Sequence, residues 1–301
     1  MQTIKWKDEN LSKLCLGTVQ FGLNYGVANT EGQVSLEEAT KILDFSISKG
    51  INTFDTAKAY GSSEKVLNTY FKERNSINPF IISKISSDLF SLKLTKFISD
   101  ISNFDNLFAL LLHDNEKLYS WTKKDTQYIK ELKAKNIIKY FGASIYTDEE
   151  FNKALENDEI EIIQIPFNIF DQRAISLKWL EKAKKRDKLI FIRSIYLQGL
   201  LLMDINKVPV HLADAKEYLE KLVNYANILD ISVNELCLFF VNQVAKNSIL
   251  LFGCDNLTQA KENIQLFNLQ KTIDAAILEN LQREFSNIEE EIYNPTKWNK
   301  V

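Results

Sequence analysis

The sequence is poor in cysteine, glycine and proline, and each shortage argues against a class of protein or an internal division. The three cysteines, Cys15, Cys237 and Cys254, lie far apart and form no C-x-x-C pair, which argues against a disulfide framework and a zinc site. We expect all three to be small buried packing residues, and we expect no metal. With only 9 glycines and 4 prolines, no glycine- or proline-rich linker divides the chain, so we predict one domain over residues 1–301.

Long apolar runs and an excess of positive charge are also missing. No run approaches the roughly 18 apolar residues that a membrane-spanning helix needs, and the polar N-terminal stretch MQTIKWKDENLSK does not resemble a signal peptide. We therefore expect a cytoplasmic protein that does not contact membranes. The 37 Lys and Arg residues against 40 Asp and Glu give a net charge of −3, which argues against nucleic acid as a partner.

Short apolar runs alternate with longer amphipathic stretches along almost the whole chain, a pattern typical of repeated βαβ units around a parallel sheet. The runs predict eight strands, over residues 14–18, 51–55, 80–84, 107–113, 140–143, 160–165, 189–194 and 249–253. The first predicted helix begins at a capping box of Ser35 and Glu38 and ends at Gly50. Other helices are predicted over 63–74, 90–103, 121–135, 147–156, 173–186, 213–229, 232–246, 256–267 and 272–292.

Three ionisable residues lie at the ends of predicted strands at an even spacing. Asp55 precedes Lys84 by 29 residues, and Lys84 precedes His113 by 29. About 30 residues make one strand, crossover helix and turn, so we expect the three on neighbouring parallel strands. Side chains at the carboxyl ends of such strands share one mouth, and Tyr60 follows Asp55 closely in D-T-A-K-A-Y-G. The sequence therefore predicts an active site that contains these four residues.

These four groups suit proton transfer at a carbonyl or alcohol oxygen. A tyrosine with an ordinary pKa near 10 is a poor acid at neutral pH unless a nearby cation favours its anion. Lys84, bound by Asp55, is the predicted cation beside Tyr60. His113 is predicted to donate a hydrogen bond that orients the substrate oxygen. The hydride must then come from another group.

In their local motifs, these residues resemble the aldo-keto reductase family, whose members are (β/α)₈ barrels that use a nicotinamide cofactor without a Rossmann domain. The resemblance covers roughly residues 13–268. It implies an α/β fold, a single (β/α)₈ TIM barrel with extra C-terminal helices. It also implies that Asp55, Tyr60, Lys84 and His113 form the family's catalytic tetrad in an NAD(P)H-dependent enzyme that reduces an aldehyde, ketone or sugar carbonyl to the alcohol.

Further motifs of the same resemblance imply the cofactor site. The segments that carry it are L-C-L-G-T-V-Q-F-G, G-A-S, Q-I-P-F-N, I-R-S-I-Y-L-Q-G-L-L and L-F-G-C-D-N-L-T-Q-A-K-E-N. The residues they imply are Gly17, Thr18, Ser144, Gln164, Arg193, Ser194, Gly253, Gln259, Glu262 and Asn263. Ile145 stands where the family has an asparagine, and Arg193 replaces the aromatic ring that usually stacks on the nicotinamide. A guanidinium can also stack on a planar ring.

NADP(H) is the favoured cofactor by this resemblance, and NAD(H) is the alternative. The basic pair that binds the 2′-phosphate in strongly NADP-selective members is absent, because Gly253 and Gln259 occupy those places and Asp255 adds a negative charge nearby. The expected partner is a small-molecule carbonyl substrate, with a sugar or sugar nucleotide as one candidate.

Other interpretations stay open. Taken singly, Asp55 fits a helix cap, Tyr60 fits packing and His113 fits a structural role. Four aromatic residues fit substrate walls and core packing equally: Phe21, Tyr25, Phe170 and Tyr196. A nicotinamide-binding, redox-sensing regulatory subunit without significant turnover is the main alternative function. A barrel hydrolase finds less support, because glycoside cleavage normally needs a facing pair of carboxylates.

Overall fold

The computed structural model describes residues 1–74, 78–92, 96 and 104–298. Eight parallel strands close into a barrel in the order β10, β3, β4, β5, β6, β7, β8, β9. They are β3 (Leu14–Gly17), β4 (Thr53–Asp55), β5 (Phe80–Ile85), β6 (Leu107–Leu112), β7 (Ile138–Ser144), β8 (Ile162–Pro166), β9 (Leu189–Arg193) and β10 (Ile249–Phe252). Every predicted strand is present with bounds within two residues, so the predicted (β/α)₈ barrel is confirmed.

Helices surround the barrel and extend beyond it at the C-terminus. They are Leu36–Ser48, Ser63–Glu73, Glu116–Tyr119, Lys123–Ala134, Asp148–Glu156, Arg173–Ser176, Trp179–Lys185, Ala215–Ile228, Val233–Val244, Leu257–Asn268, Ala275–Glu284 and Glu290–Tyr293. The helix predicted over 173–186 is in fact two, because Lys178 between them adopts a left-handed conformation with φ 58°. The helix predicted over 272–292 is also divided. Most of the helix predicted over 90–103 lies outside the described residues.

The first helix begins and ends as predicted, but its capping box is only half formed. The Ser35 hydroxyl accepts a hydrogen bond from the backbone N–H of Glu38 at 3.2 Å. The Glu38 carboxylate accepts one from the N–H of Leu257 at 2.8 Å instead of returning to Ser35. Glu38 therefore connects this helix to the N-terminus of the last barrel helix. Gly50 closes the helix with φ 84°, a conformation that favours glycine.

An antiparallel hairpin of β1 (Thr3–Trp6) and β2 (Glu9–Ser12), which the sequence patterns did not predict, precedes the barrel. Its strands are short and largely polar, so they show no apolar alternation. Trp6 packs against Tyr140 of β7 with ring centroids 4.7 Å apart, and its indole N–H donates to the carbonyl of Asp187 just before β9. Both partners lie at the amino ends of barrel strands. The hairpin therefore covers the barrel end opposite the carboxyl ends.

The barrel is packed inside and outside. Its interior holds residues such as Cys15, Ile82 and Phe191, all fully buried, while a larger core lies between the strands and the helices. All three cysteines are buried and unpaired, as expected for packing residues. Among the described residues, no helix has the length and apolar character that crossing a membrane requires.

Candidate active site

The carboxyl ends of the strands surround a cavity of about 450 Å³. With the exception of Lys84, every residue predicted for the site lines it: Gly17, Thr18, Asp55, Tyr60, His113, Ser144, Gln164, Arg193, Ser194, Gly253, Gln259, Glu262 and Asn263. Lys84 is 1% exposed and contacts the site from within the barrel wall. A cavity of this size lies within the usual range for small-molecule sites.

Strand register explains why the evenly spaced residues converge. Asp55 ends β4 and pairs with Ile82 of β5, two residues before Lys84. His113 directly follows β6, and its backbone N–H donates to the carbonyl of Ile85 at 2.7 Å. The three therefore lie at corresponding heights on adjacent strands, as their spacing predicted.

Tyr60 lies in the turn between β4 and the helix Ser63–Glu73, and a close contact between two loops positions it. A Cβ atom on Gly22 would lie 1.8 Å from the carbonyl oxygen of Tyr60, so only glycine fits there. Gly61 has φ 51° and also lies directly against Gly22. These two glycines allow the turn that carries Tyr60 to reach the cavity.

Buried polar groups connect four strands to Tyr60. The Lys84 ammonium donates to Asp55 Oδ1 at 2.5 Å and to the Tyr60 hydroxyl at 3.5 Å. Gln164 Nε2 donates to Asp55 Oδ2 at 2.8 Å, and Ser144 Oγ donates to Gln164 Oε1 at 3.0 Å. We call this series, Ser144, Gln164, Asp55, Lys84 and Tyr60, the polar chain. Both ends of the Gln164 amide are used inside it.

Burial decides the protonation state of the phenol. Desolvation raises the pKa of Tyr60 above its ordinary value, although the charge of Lys84 acts in the opposite direction. For Lys84 itself, burial alone would lower the pKa, but Asp55 and Tyr60 outweigh it and the pKa is raised. Tyr60 is therefore a neutral phenol beside a lysine ammonium at pH 7. The sequence predicts the cation beside Tyr60, but the larger effect of desolvation on the Tyr60 pKa depends on burial and becomes visible only in the fold.

His113 faces the phenol as a neutral imidazole. Its ring lies 5.6 Å from that of Tyr60, nearly perpendicular at 84°. Burial, together with the positive charges of Lys84 and Arg193, lowers the pKa of His113 to about 4. A neutral imidazole can donate one hydrogen bond to a substrate oxygen, which is the role predicted for it.

Arg193, at the end of β9, packs against a tyrosine of the neighbouring loop. Its guanidinium lies 4.0 Å from the ring centroid of Tyr146. It donates to the carbonyl of Ile145 at 3.1 Å and to the Ser194 hydroxyl at 3.4 Å. Ser194, with φ 63°, and the three consecutive residues Leu197, Gln198 and Gly199 adopt left-handed conformations. Successive backbone N–H groups in such turns can form anion-binding concavities.

The segment after β10 has a well-connected set of side chains. Asn263 Oδ1 accepts from the Tyr196 hydroxyl at 2.6 Å, and Asn263 Nδ2 donates to the carbonyl of Gln259 at 2.9 Å. Gln259 Oε1 accepts from the backbone N–H of Asp255 at 2.8 Å. Glu262 is exposed at the rim.

Three buried acceptors on the cavity wall indicate that it is built for a polar ligand. Gln20 Oε1, Asn234 Oδ1 and Asp255 Oδ1 accept no hydrogen bond from the described residues. A buried acceptor without a donor costs roughly 1–3 kcal/mol, and the hydroxyl and amide groups of a nicotinamide dinucleotide would supply such donors. The cavity therefore fits that cofactor.

Sequence reasoning missed Gln20, Asn234 and Tyr146 as lining residues. Gln20 lies inside the first cofactor motif without a role of its own, whereas Asn234 and Tyr146 stand in no motif and reach the cavity only through the fold. Of the four aromatic residues with two interpretations, Phe21 and Phe170 are core residues, each 1% exposed, whereas Tyr25 and Tyr196 line the cavity. Within the described ranges, no cluster of His, Cys, Asp or Glu could hold a metal ion.

Similar folds occur among solved structures. An aldo-keto reductase from Bacillus halodurans in its holo form is 18% identical with a TM-score of 0.76, covering 98% of this chain and 100% of that one. The glycerol dehydrogenase of Gluconobacter oxydans is 17% identical with a TM-score of 0.73, covering 100% and 97%. An aldo-keto reductase from Klebsiella pneumoniae, in complex with NADPH, is 16% identical with a TM-score of 0.69, covering 100% and 99%.

At these identities the likeness shows a shared fold. A search of curated protein sequences found no match to this chain. The sequence profile of the Aldo/keto reductase family, in contrast, matches residues 13–278. That match spans nearly the whole barrel and includes every residue that lines the cavity. The chain therefore belongs to the aldo/keto reductase family of oxidoreductases.

Proposed function

We propose that this protein reduces the carbonyl group of a small aldehyde, ketone or sugar to an alcohol, with a nicotinamide cofactor as reductant and Tyr60 as proton donor. The observation that carries the proposal is the polar chain, which ends in a neutral phenol on the wall of a ligand-sized cavity. When bound, the nicotinamide would supply the hydride for the carbonyl carbon.

The chain's own groups would then complete the reaction at the substrate oxygen. His113, neutral at pH 7, would donate a hydrogen bond and orient the oxygen. Tyr60 would transfer its hydroxyl proton to that oxygen as negative charge develops there. The phenolate left behind would be stabilised by the ammonium of Lys84, which Asp55 keeps charged and in place.

For the cofactor we propose the residues that the family motifs imply, with the unsatisfied acceptors of Gln20 and Asn234 in addition. NADP(H) is the favoured form, since two Klebsiella pneumoniae neighbours are complexes with NADPH and NADP. NAD(H) is the alternative, because Asp255 on the wall would repel a 2′-phosphate. Among possible substrates, sugars and other hydroxylated carbonyl compounds gain support from the glycerol dehydrogenase neighbour.

The Tyr60→Phe variant tests the proton donor. Removing the hydroxyl should lower kcat for reduction of an aldehyde by about 10²- to 10⁴-fold, the usual contribution of a general acid. Binding of NADPH, measured by quenching of protein fluorescence, should change little. Tyr119→Phe is the matched control, because Tyr119 is 49% exposed and is not among the residues that line the cavity.

Two results would contradict the proposal in different ways. Near-normal turnover by Tyr60→Phe would remove Tyr60 as the acid while leaving carbonyl reduction intact. Tight NADPH binding by the wild-type protein, with no turnover on a panel of aldehydes, ketones and sugars, would favour the redox-sensing subunit instead.

A further inference from the structure

Arg193 carries a charge that no neighbouring carboxylate neutralises. Among the described residues that line the cavity it is the only lysine or arginine, and it forms no ion pair with the part of the chain that the structure describes. Its hydrogen bonds go only to neutral oxygens, those of Ile145 and Ser194. A partly buried cation without a counter-ion is costly, so the site is better suited to an anionic occupant than to a neutral one.

Asp255 and Glu262 also line the cavity, but neither forms an ion pair with Arg193 in the part of the chain that the structure describes. Two other carboxylates, Asp55 and Asp114, are engaged elsewhere. Asp55 binds Lys84 with one oxygen and Gln164 with the other. Asp114 accepts from the backbone N–H of Ser87 with both oxygens, at 3.1 and 3.0 Å. Because Lys84 and Asp55 neutralise each other, the charge of Arg193 is left uncompensated beside the catalytic groups.

The guanidinium is held in a fixed plane and close to those groups. Stacking on Tyr146 sets its orientation, and two weakly bonded N–H groups leave others of its five donors free. Its charge lowers the pKa of both Tyr60 and His113, so it lies within electrostatic reach of each. The phenol of Tyr25 lies on the same cavity wall and, protonated at neutral pH like an ordinary tyrosine, can donate a hydrogen bond.

We propose that the substrate carries an anionic group, a carboxylate or a phosphate, which the Arg193 guanidinium binds while Tyr60 and His113 engage the carbonyl oxygen. The planar fork of an arginine matches the oxygens of either group. This inference rests on the proposed carbonyl reduction and adds a substrate class to it. Arg193 would then bind the substrate instead of the cofactor contact that the family motifs imply for it, in the place where the family usually has a ring against the nicotinamide.

Matched pairs of aldehydes test the substrate class with saturating NADPH. Succinic semialdehyde is compared with butanal for a carboxylate, and glyceraldehyde 3-phosphate with glyceraldehyde for a phosphate. The anionic member of one pair should have a kcat/KM about 10- to 100-fold higher than its neutral partner, as expected for a charged hydrogen-bonded contact. The pair that shows the preference identifies the group, and added salt should reduce the preference.

Two variants assign that preference to the guanidinium. Arg193→Gln should lower kcat/KM for the anionic member by about 10- to 100-fold more than for the neutral member. Arg193→Lys should keep part of the preference because it keeps the charge without the planar fork. Where succinic semialdehyde is the preferred substrate, calorimetry with its product 4-hydroxybutyrate, and with butan-1-ol as the neutral control, should show the same difference without turnover.

The contrary outcomes separate the two proposals. Reduction of neutral and anionic aldehydes at equal kcat/KM would overturn the anion site and leave carbonyl reduction standing. A loss of NADPH affinity in Arg193→Gln as large as its loss of anionic-substrate affinity would assign the guanidinium to the cofactor and overturn the anion site. No reduction of any member of either pair would remove both proposals.

Discussion

At Tyr60, burial and charge act in opposite directions on one hydroxyl group. Burial keeps the proton on the oxygen, and the ammonium of Lys84 makes its departure less costly. As the proposed proton donor, such a phenol would hold its proton in the resting state and release it only when a stronger base forms beside it. The developing alkoxide of a carbonyl under reduction is such a base. As the pH rises, the rate of reduction should therefore fall only above the ordinary tyrosine pKa of about 10.

The buried Lys84–Asp55 pair predicts a non-additive effect on stability. Lys84→Met and Asp55→Asn should each lower the free energy of unfolding by about 3–5 kcal/mol, because each leaves one buried group without its partner. The double variant should lose clearly less than the two losses combined. Urea unfolding of the three variants measures this coupling.

The exposed pair Lys221 and Glu217, with the lysine side chain 37% exposed, is the matched control for that experiment. Substituting Glu217 there should leave the free energy of unfolding almost unchanged, because an exposed ion pair contributes little to stability. Additive losses at Lys84 and Asp55 would show that the buried pair is not coupled as its 2.5 Å contact implies.

His113 predicts a specific acid dependence of stability. Its pKa in the folded chain, about 4, lies below the ordinary value of about 6.5, so protonation favours the unfolded state. The part of the free energy of unfolding that depends on a neutral His113 is therefore complete above about pH 6.5. It is lost as the pH falls towards 4, by about 3 kcal/mol in all. His113→Gln should remove that part of the acid sensitivity in urea unfolding measured between pH 7 and 4.5.

Proton NMR gives a direct measurement, since the chain has only 2 histidines. In the His211→Gln variant the remaining imidazole signal belongs to His113, and its titration midpoint should lie near pH 4. A midpoint at or above 6.5 would mean that the ring is not desolvated as its surroundings indicate.

At the scale of elements, the loop contact between Gly22 and the Tyr60–Gly61 turn predicts a change in activity. In Gly22→Ala the new methyl group would meet backbone atoms of Tyr60 and Ser63, at 1.8 and 2.6 Å. These contacts are with backbone atoms and not with the end of a flexible side chain. The whole turn should therefore shift and move the Tyr60 phenol out of position. Displacements of about 1 Å at a reacting group can cost on the order of 100-fold in rate, and we expect a loss of at least about tenfold in kcat.

Gly32→Ala is the control for that variant. Gly32 has φ 83° and no heavy atom within 4 Å of a new Cβ, so the cost should be local strain of about 1–2 kcal/mol with normal turnover. If Gly22→Ala turned over as fast as Gly32→Ala, the loop contact would not be what positions Tyr60.

The elements that carry chemistry could be predicted from the sequence because their signals are local. An apolar run that ends in Asp55, Lys84 or His113 marks a strand end, and the equal spacing places those ends side by side. The break at Lys178 could not be predicted, because a left-handed lysine follows from its surroundings and not from its own propensity. Asn234, in the first turn of a helix far along the chain, reaches the cavity only through the closure of the barrel.

At the scale of the whole molecule, stability and chemistry are separated at opposite ends of the barrel. Trp6→Ala, in the N-terminal hairpin, should lower the free energy of unfolding by about 3–5 kcal/mol, because Trp6 is only 7% exposed and its removal leaves a cavity against the barrel interior. The kcat/KM for aldehyde reduction should stay unchanged.

Trp6→Phe provides the graded comparison, since it retains an aromatic ring beside Tyr140 and should cost less than the alanine variant. A large fall in kcat/KM for Trp6→Ala under conditions where the protein remains folded would contradict the separation of the two ends.

The hairpin that covers one end of the barrel also limits ligands to entering and leaving at the other end. Trp6 and Leu11 sit over an interior filled with side chains, so no molecule passes through the barrel, and reductant and substrate must share the same entrance. Two ligands that bind one behind the other through the same opening must leave in the reverse of the order in which they bound. Steady-state kinetics should consequently follow a compulsory sequence, with the alcohol departing before the oxidised nucleotide.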